Sequence, residues 1–289
     1  MTARNEDGVL VKSPYKKQEF TEQELQDFMK CADPDTGPEY FLRNFFFIQH
    51  PVQGKIQYNP WEFQERLIKT YHNYRFSISM MPRQTGKSTS AAGYLLWFAM
   101  FKPDSTILVA AHKYAGAQEI MQRVRYSYES CPDHIRAGAT SYNKGSIEFD
   151  NGSRIVAQTT TENTGRGMSI TLLYCDEFAF VRPTIAKEFW TSISPTLSTG
   201  GGAIITSTPN SDEDQFAFIW KGANKTEDEY GNTKELGVNG FKAYRAYWRE
   251  HPDRDEPWAE EQRNILGIER FRREMDCEFI INDETLIAP

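Results

Sequence analysis

The sequence predicts an α/β fold built on parallel core strands, and three observations carry that expectation. Helix, strand and turn signals alternate along most of the chain. The apolar run Tyr74–Met81, in which Phe76, Ile78 and Met80 alternate, passes through a short polar loop into the apolar segment Ala91–Phe101, joining a buried strand to a buried helix. Two later apolar runs, Thr171–Asp176 and Ala203–Thr208, read as further buried strands.

Taken in order, the elements follow from local chemistry. Thr21-Glu22-Gln23-Glu24 spells a capping box that opens a short helix through Phe28 and Met29, and the turn-rich Ala32–Pro38 ends it. Phe41–Ile48 is densely aromatic and reads as a helix or a helix-to-strand passage against the core; Lys55–Tyr58 reads as a short strand. Asn59 is expected to cap the next helix, with Pro60 in its first turn. After the central strand, loop and helix come a strand over Ser105–Ala111, a helix over Tyr114–Glu129 and a hairpin within Thr140–Gln158 that turns at Asp150-Asn151-Gly152-Ser153. Thr159–Ser169 is a polar loop with a basic tip at Gly165-Arg166-Gly167. Beyond the strand ending at Asp176, a helix is expected over Phe189–Leu197 and a turn over Ser198–Gly202. The strand Ala203–Thr208 then runs into Pro209-Asn210. Ser211–Asp214 and Lys225–Glu235 are charged loops, and Phe241–Trp248 is a last strand. Trp258–Cys277 is expected to form one amphipathic helix with Ile265, Leu266, Ile268, Phe271 and Met275 on its buried stripe.

The chemistry concentrates at two places. Gly86-Lys87-Ser88 has the makings of a phosphate loop: a glycine where backbone N–H groups approach phosphate oxygens, a lysine for the β/γ-phosphates, and a hydroxyl for Mg²⁺. The usual first glycine of that pattern is replaced by Met81, so on its own the triplet is also compatible with an ordinary helix N-terminus. The strand Thr171–Asp176 ends in Asp176-Glu177, and a buried strand ending in two acids is costly unless a cation or hydrogen bonds compensate them. Together the motifs imply a nucleoside triphosphate site in which Asp176 holds the metal of Lys87 and Ser88, and Glu177 polarises the attacking water. Gln64, one helix before the loop, carries an amide able to donate to and accept from an adenine edge; the alternative is a surface glutamine.

Composition sets wide limits. A chain of 289 residues with 39% apolar and 13% aromatic residues has room for one large domain and a sizeable core. No stretch approaches the roughly 20 apolar residues of a membrane span, and Met1–Asp7 lacks the apolar core of a secretory signal. The four cysteines (Cys31, Cys131, Cys175, Cys277) have no metal-ligand spacing and read as the reduced thiols of a cytosolic protein. A net charge of −7 neither advertises nor excludes a nucleic-acid partner, because phosphate contacts need only a local basic patch.

Several segments together resemble the ATPase half of the large terminase subunit, the DNA-packaging motor of tailed bacteriophages, in its T-even type. They are Phe63-Gln64, Arg83–Thr89, Ala111-His112-Lys113, Asn143–Ser153, Arg166-Gly167, Tyr174–Phe180 and Thr206-Ser207-Thr208-Pro209-Asn210. The resemblance runs from about Phe45 to Pro289. It implies a RecA-like fold of the additional-strand P-loop class, with a mostly parallel sheet, helices on both faces and a small, mainly helical lid. Residues 45–235 would form the ATPase core, and 1–44 with 236–289 the lid. The family's nuclease domain has no counterpart before the chain stops at Thr285–Pro289, about where a linker would begin, so no DNA cleavage is expected.

The resemblance also implies roles. ATP would be held by Arg83, Gln84, Thr85, Gly86, Lys87, Ser88 and Thr89, with Gln64 and Asn59 on adenine and Mg²⁺ on Ser88 and Asp176. Glu177 would activate the hydrolytic water. Arg83 is the candidate sensor or finger acting in cis, and Arg166 the alternative, supplied to a neighbouring subunit of a ring. Thr206-Ser207-Thr208 matches the coupling motif. The implied partners are double-stranded DNA, the portal protein of the procapsid, the small terminase subunit and further copies in a ring on the portal, in the host cytoplasm and transiently at the portal vertex, with no membrane. Two other classes stay open: a helicase-like remodelling ATPase, which should carry a second RecA-like lobe, and a non-hydrolysing nucleotide-gated assembly protein, which would not need Glu177.

Overall fold

The computed structural model describes residues 10–281. The expectations at Met1–Asp7 and at Thr285–Pro289 lie outside this range. The chain opens with helices α1 (Glu22–Ala32) and α2 (Gly37–Asn44), then the hairpin β1 (Phe47–His50) and β2 (Gly54–Gln57). Thr21 Oγ1 accepts from the amide of Glu24 and the Glu24 carboxylate accepts from the amide of Thr21, so the predicted capping box is formed. Helix α3 (Glu62–Asn73) starts two residues later than expected. Trp61, not Asn59, is its N-cap, because Gln64 three residues on turns back to accept from the Trp61 amide at 3.0 Å. Strand β3 (Phe76–Met80) leads into α4 (Lys87–Phe101), β4 (Thr106–Ala111) and α5 (Tyr114–Ser130). Helix α4 is buried almost all round, as an apolar helix must be, and α2, α3 and α5 cover it.

Next come β5 (Ala139–Tyr142), β6 (Ser146–Phe149) and β7 (Arg154–Thr159), of which β5 was not predicted separately. Strand β8 (Leu172–Asp176) carries the acid pair at its end, followed by α6 (Pro183–Ile193) and β9 (Gly202–Ser207). Helix α6 starts well before the expected Phe189, with Pro183 in its first turn, and a 3₁₀ turn over Ser194–Leu197 takes up its expected end. Helix α7 (Gln215–Asn224) fills the gap left between the two charged loops. Strand β10 (Lys242–Arg245) is shorter than Phe241–Trp248. The expected long C-terminal helix is two: α8 (Glu256–Leu266) and α9 (Ile268–Glu274), broken where Gly267 takes φ +79°. Ile265 and Ile268 at the break are 66% and 69% exposed, so only Leu266, Phe271 and Met275 of the expected stripe pack inward.

The main sheet has eight strands in the order β10–β3–β9–β8–β4–β7–β6–β5. All neighbours from β10 to β7 are parallel, and β6 and β5 add an antiparallel edge. This is the expected RecA-like, additional-strand α/β sheet, since β9 is inserted between the strand before the loop and the strand ending in acids. Side chains alternate between two cores, as the two-residue period of a strand demands. Ile107, Val109, Tyr174 and Ile204 join the core under α1 to α5, while Leu108, Ala110, Leu173, Cys175 and Ile205 join the one under α6 and α7. A third, smaller cluster gathers Trp248, Ala259, Phe271 and Met275. The boundary drawn at residue 235 falls before β10, which pairs with β3 in the main sheet. The four cysteines are buried, with no disulfide among the described residues. Among the described residues, no helix is long and apolar enough to cross a membrane.

One buried acid of the fold yields a test. Asp214 caps α7, its carboxylate accepting from the Ala217 amide at 2.7 Å while Oδ2 has no partner. Burial pushes its carboxyl from 3.8 to about 6 against the pull of the Ala217, Phe216 and Ser211 amides. The folded state therefore takes up a proton between those values, and stability falls as pH rises through that window. Asn caps a helix as well as Asp does without burying a charge. Asp214→Asn is expected to gain about 1 kcal/mol at pH 7.5 and much less at pH 4.5, read from urea midpoints.

Candidate active site

The site grows from the way β3 leaves the sheet. After Met80 the chain stays buried through Met81 and Pro82, turns over Arg83-Gln84-Thr85 and enters α4 at Lys87. Met81, where a glycine is usual, is fully buried in the larger core, so here the loop's first corner is a packing position. The bend is made by two left-handed residues, Gln84 at φ +55° and Gly86 at φ +75°. Gly86 needs its lack of a side chain twice: for that φ, and because a Cβ would stand 2.5 Å from Gln64 Nε2. Thr85 Oγ1 donates to the Pro82 carbonyl at 2.8 Å and closes the turn. The first turn of α4 carries no acid and no side-chain cap, so its amide N–H groups and the helix dipole suit an anion.

Strand order brings the acids to this loop. Register places Thr206 of β9 beside both Ser79 of β3 and Asp176 of β8, so the three strand ends converge. Lys87 Nζ lies 2.6 Å from Glu177 Oε1. Ser88 Oγ donates to Asp176 Oδ1 at 3.4 Å, and Tyr174 OH donates to the same oxygen at 2.9 Å. Glu177, itself left-handed at φ +49°, is held from its other side. Its Oε2 accepts from Ser207 Oγ at 3.3 Å and from the amide and hydroxyl of Thr208 at 3.4 Å.

The two carboxyls are driven apart. Burial, then the charge of Glu177, pushes Asp176 from 3.8 up to about 6, against Lys87 and the Tyr174 and Ser88 hydroxyls. For Glu177 burial also pushes upward, but the Lys87 ion pair and the Thr208 and Ser207 hydrogen bonds outweigh it and hold the carboxyl below its usual range. A buried acid that resists ionisation is one that a divalent cation would relieve. An ionised acid fixed by hydroxyls is one that can take a proton from water.

Thus Lys87, Ser88, Asp176, Glu177, Ser207 and Thr208 come together, with Thr206 buried beside them, its hydroxyl unpartnered. Other predicted residues sit elsewhere. Gln64 is 3% exposed; its Nε2 donates to the Thr85 carbonyl at 3.0 Å, and its Oε1 accepts from Trp61 and Tyr58. Its amide thus braces the loop from beneath instead of facing solvent as a base-reading group would. Asn59 is exposed. Thr89 accepts from Arg123 at 3.2 Å. Arg83 points to the C-terminal part of the chain, its Nε 2.8 Å from Glu274 Oε2. Arg166 is exposed on its loop beside an open recess shared with Glu162, Lys187 and Glu188, apart from the cluster. Sequence reading missed Arg254, whose Nη2 donates to the carbonyls of Arg83 and Gln84 at 3.1 and 2.8 Å. No local pattern marks it.

The residues fit Mg²⁺ with a triphosphate. Among the described residues no group of three or more His, Cys, Asp or Glu forms a closed metal cage. One hydroxyl and one carboxylate beside an anion-binding helix end are what Mg²⁺ takes when substrate phosphates and water complete its shell.

A family model described as terminase large subunit, T4likevirus-type, N-terminal, matches residues 78–288. Among solved structures, the large terminase ATPase domain of Thermus phage P74-26 is 21% identical over 77% of this chain and 95% of that one, with a TM-score of 0.60. The large terminase of bacteriophage HK97 is 18% identical over 82% of this chain and 53% of that one, TM-score 0.63. The large terminase of the thermophilic bacteriophage D6E, in complex with ADP, is 10% identical over 76% and 53%, TM-score 0.57. At such identities these structures speak to the fold alone, and this chain spans about half the length of the last two.

Proposed function

The chain belongs to the T4likevirus type of terminase large subunits, and from that premise we propose that it hydrolyses ATP with Mg²⁺ to drive double-stranded DNA into a procapsid. The observation that carries the reading is the meeting of Lys87 and Ser88 with Asp176 and Glu177 at the ends of adjoining strands, with Ser207 and Thr208 on Glu177. Ser88 and Asp176 would hold Mg²⁺, which would supply positive charge to offset that of the phosphates. Lys87 exchanges Glu177 for phosphate, and the α4 amides of its first turn take the remaining oxygens. Glu177, released by Lys87 but still held by Ser207 and Thr208, accepts a proton from the attacking water. Arg83 is the guanidinium nearest in sequence for the developing charge in cis, while Arg166, exposed between Gly165 and Gly167, is suited to a neighbouring copy in a ring.

The ring, the portal and small-subunit contacts, the site of action at the portal vertex in the host cytoplasm and the movement of the C-terminal part as a lid all belong to this proposal. The D6E large terminase complex with ADP supports the nucleotide class. Mg²⁺-dependent phosphate release from ATP by the purified chain tests the reading; no turnover and no nucleotide binding would remove it. Arg166→Ala is expected to leave basal turnover at high dilution intact and to abolish any rise in turnover per subunit with protein concentration. Ser207→Ala with Thr208→Ala removes two hydroxyls from Glu177 Oε2, so kcat should fall about tenfold with KM nearly unchanged, read in steady-state assays.

A further inference from the structure

We infer that Arg254 and Glu274 are positioning residues that hold the phosphate loop in its bent form from the C-terminal part of the chain. The inference rests on the ATP-site reading and names residues that its motifs leave out. The loop bends at Gln84, whose φ of +55° is strained for a residue with a Cβ, and the first corner lacks the usual glycine. Arg254 grips the carbonyls on either side of that strain: its Nη2 donates to Arg83 O at 3.1 Å and to Gln84 O at 2.8 Å.

Arg254 is only 9% exposed, and no carboxylate among the described residues forms an ion pair with it. A guanidinium so buried is costly unless its donors meet fixed acceptors, and main-chain oxygens of the loop are the ones it has. Its rotamer is fixed by Trp258, over whose ring it lies at 4.7 Å, and Trp258 packs against Trp248 in the third core cluster. Glu274, 3% exposed, takes hold of the same loop by a second route. Its carbonyl accepts from the Arg83 amide at 3.1 Å and its carboxylate pairs with Arg83 Nε at 2.8 Å. Arg254, about 170 positions downstream, and Glu274, further still, thus set the geometry of Arg83 and Gln84. The loop has its phosphate-binding shape only while that cluster is docked.

The test uses the full chain with Arg254→Ala, Arg254→Lys, Glu274→Gln, Gln84→Gly and the double variant Arg254→Ala/Gln84→Gly. In the nucleotide-free protein, hydrogen exchange at the Arg83 amide, which donates to the Glu274 carbonyl at 3.1 Å, should speed up about tenfold in Arg254→Ala, a readout that needs no ATP. In ATP turnover, KM should rise about tenfold in Arg254→Ala while kcat changes less than about threefold. Arg254→Lys should fare nearly as badly, since its ammonium stands nearer its own backbone than Nη2 does and lacks the planar group that lies over Trp258. Glu274→Gln should raise KM about threefold. In the Gln84→Gly background the Arg254→Ala effect on KM should shrink to about twofold, because glycine takes the left-handed bend without help.

Unchanged exchange and unchanged KM in a folded Arg254→Ala would overturn the inference, as would an equal KM rise in both backgrounds. If Arg254→Ala does not fold, Arg254→Lys and Glu274→Gln decide by the same two readouts. Should the wild-type chain neither bind nor hydrolyse ATP, the function fails, while the exchange result still decides whether Arg254 holds the loop.

Discussion

Glu177→Gln is expected to lower kcat for ATP by roughly 10²- to 10⁴-fold while leaving ATP binding intact or tighter. Glutamine keeps the length of the side chain and an oxygen for the Ser207 and Thr208 donors. It loses the capacity to take a proton, and it loses the charge that holds Lys87 at 2.6 Å in the nucleotide-free state. The first loss removes the base. The second frees an ammonium that otherwise must leave one anion to meet another, so substrate no longer competes with Glu177 for it. Single-turnover hydrolysis with excess protein, beside direct titration with ATP, separates the two effects. Hydrolysis within tenfold of wild type would mean that Glu177 is not the base. Weakened binding would mean that the Lys87 pair does not compete with phosphate.

The meeting of Lys87 and Ser88 with Asp176 and Glu177 was legible because each lies in a short motif whose chemistry is local. Gly86-Lys87-Ser88 needs a tight bend into a helix, Asp176-Glu177 needs compensation at a strand end, and both needs show in the residues themselves. The same locality explains the failures. Gln64 has the right functional groups for a base edge, but only the fold shows that Thr85, Trp61 and Tyr58 already engage them. The apolar spacing of Ile265, Leu266 and Ile268 continues through Gly267, so periodicity joined two helices that a positive φ divides. Helix α7 was overlooked because its apolar core, Phe216–Trp220, is short and stands between charged loops. Arg254 and Glu274 were beyond reach, since a buried arginine differs from a surface one only in long-range packing. What a residue can do was readable; which neighbours it would find was not.

That distinction bears on the second large effect, expected for Lys87→Ala. ATP affinity should fall at least about 100-fold, since the ammonium is the charge that reaches the β/γ-phosphates. The same substitution should also damage the free protein. Lys87 is 7% and Glu177 25% exposed at the side chain, so removing the lysine strands an ionised carboxylate that burial already pushes toward protonation. Breaking a fully buried pair costs about 3–5 kcal/mol, and the partial exposure of Glu177 scales this down to about 1–3 kcal/mol. In Lys87→Ala the Glu177 carboxyl should therefore titrate higher, and the lost stability should return as pH falls and the acid is neutralised. The double variant Lys87→Ala/Glu177→Gln has no charge to strand, so it should recover most of the stability at pH 7.5 and none of the hydrolysis. Denaturation midpoints for the four proteins of this cycle give the coupling directly. Strict additivity would show that the Lys87–Glu177 contact has no energetic weight in the free state. A double variant that regained ATP turnover would show that neither residue belongs to the chemistry.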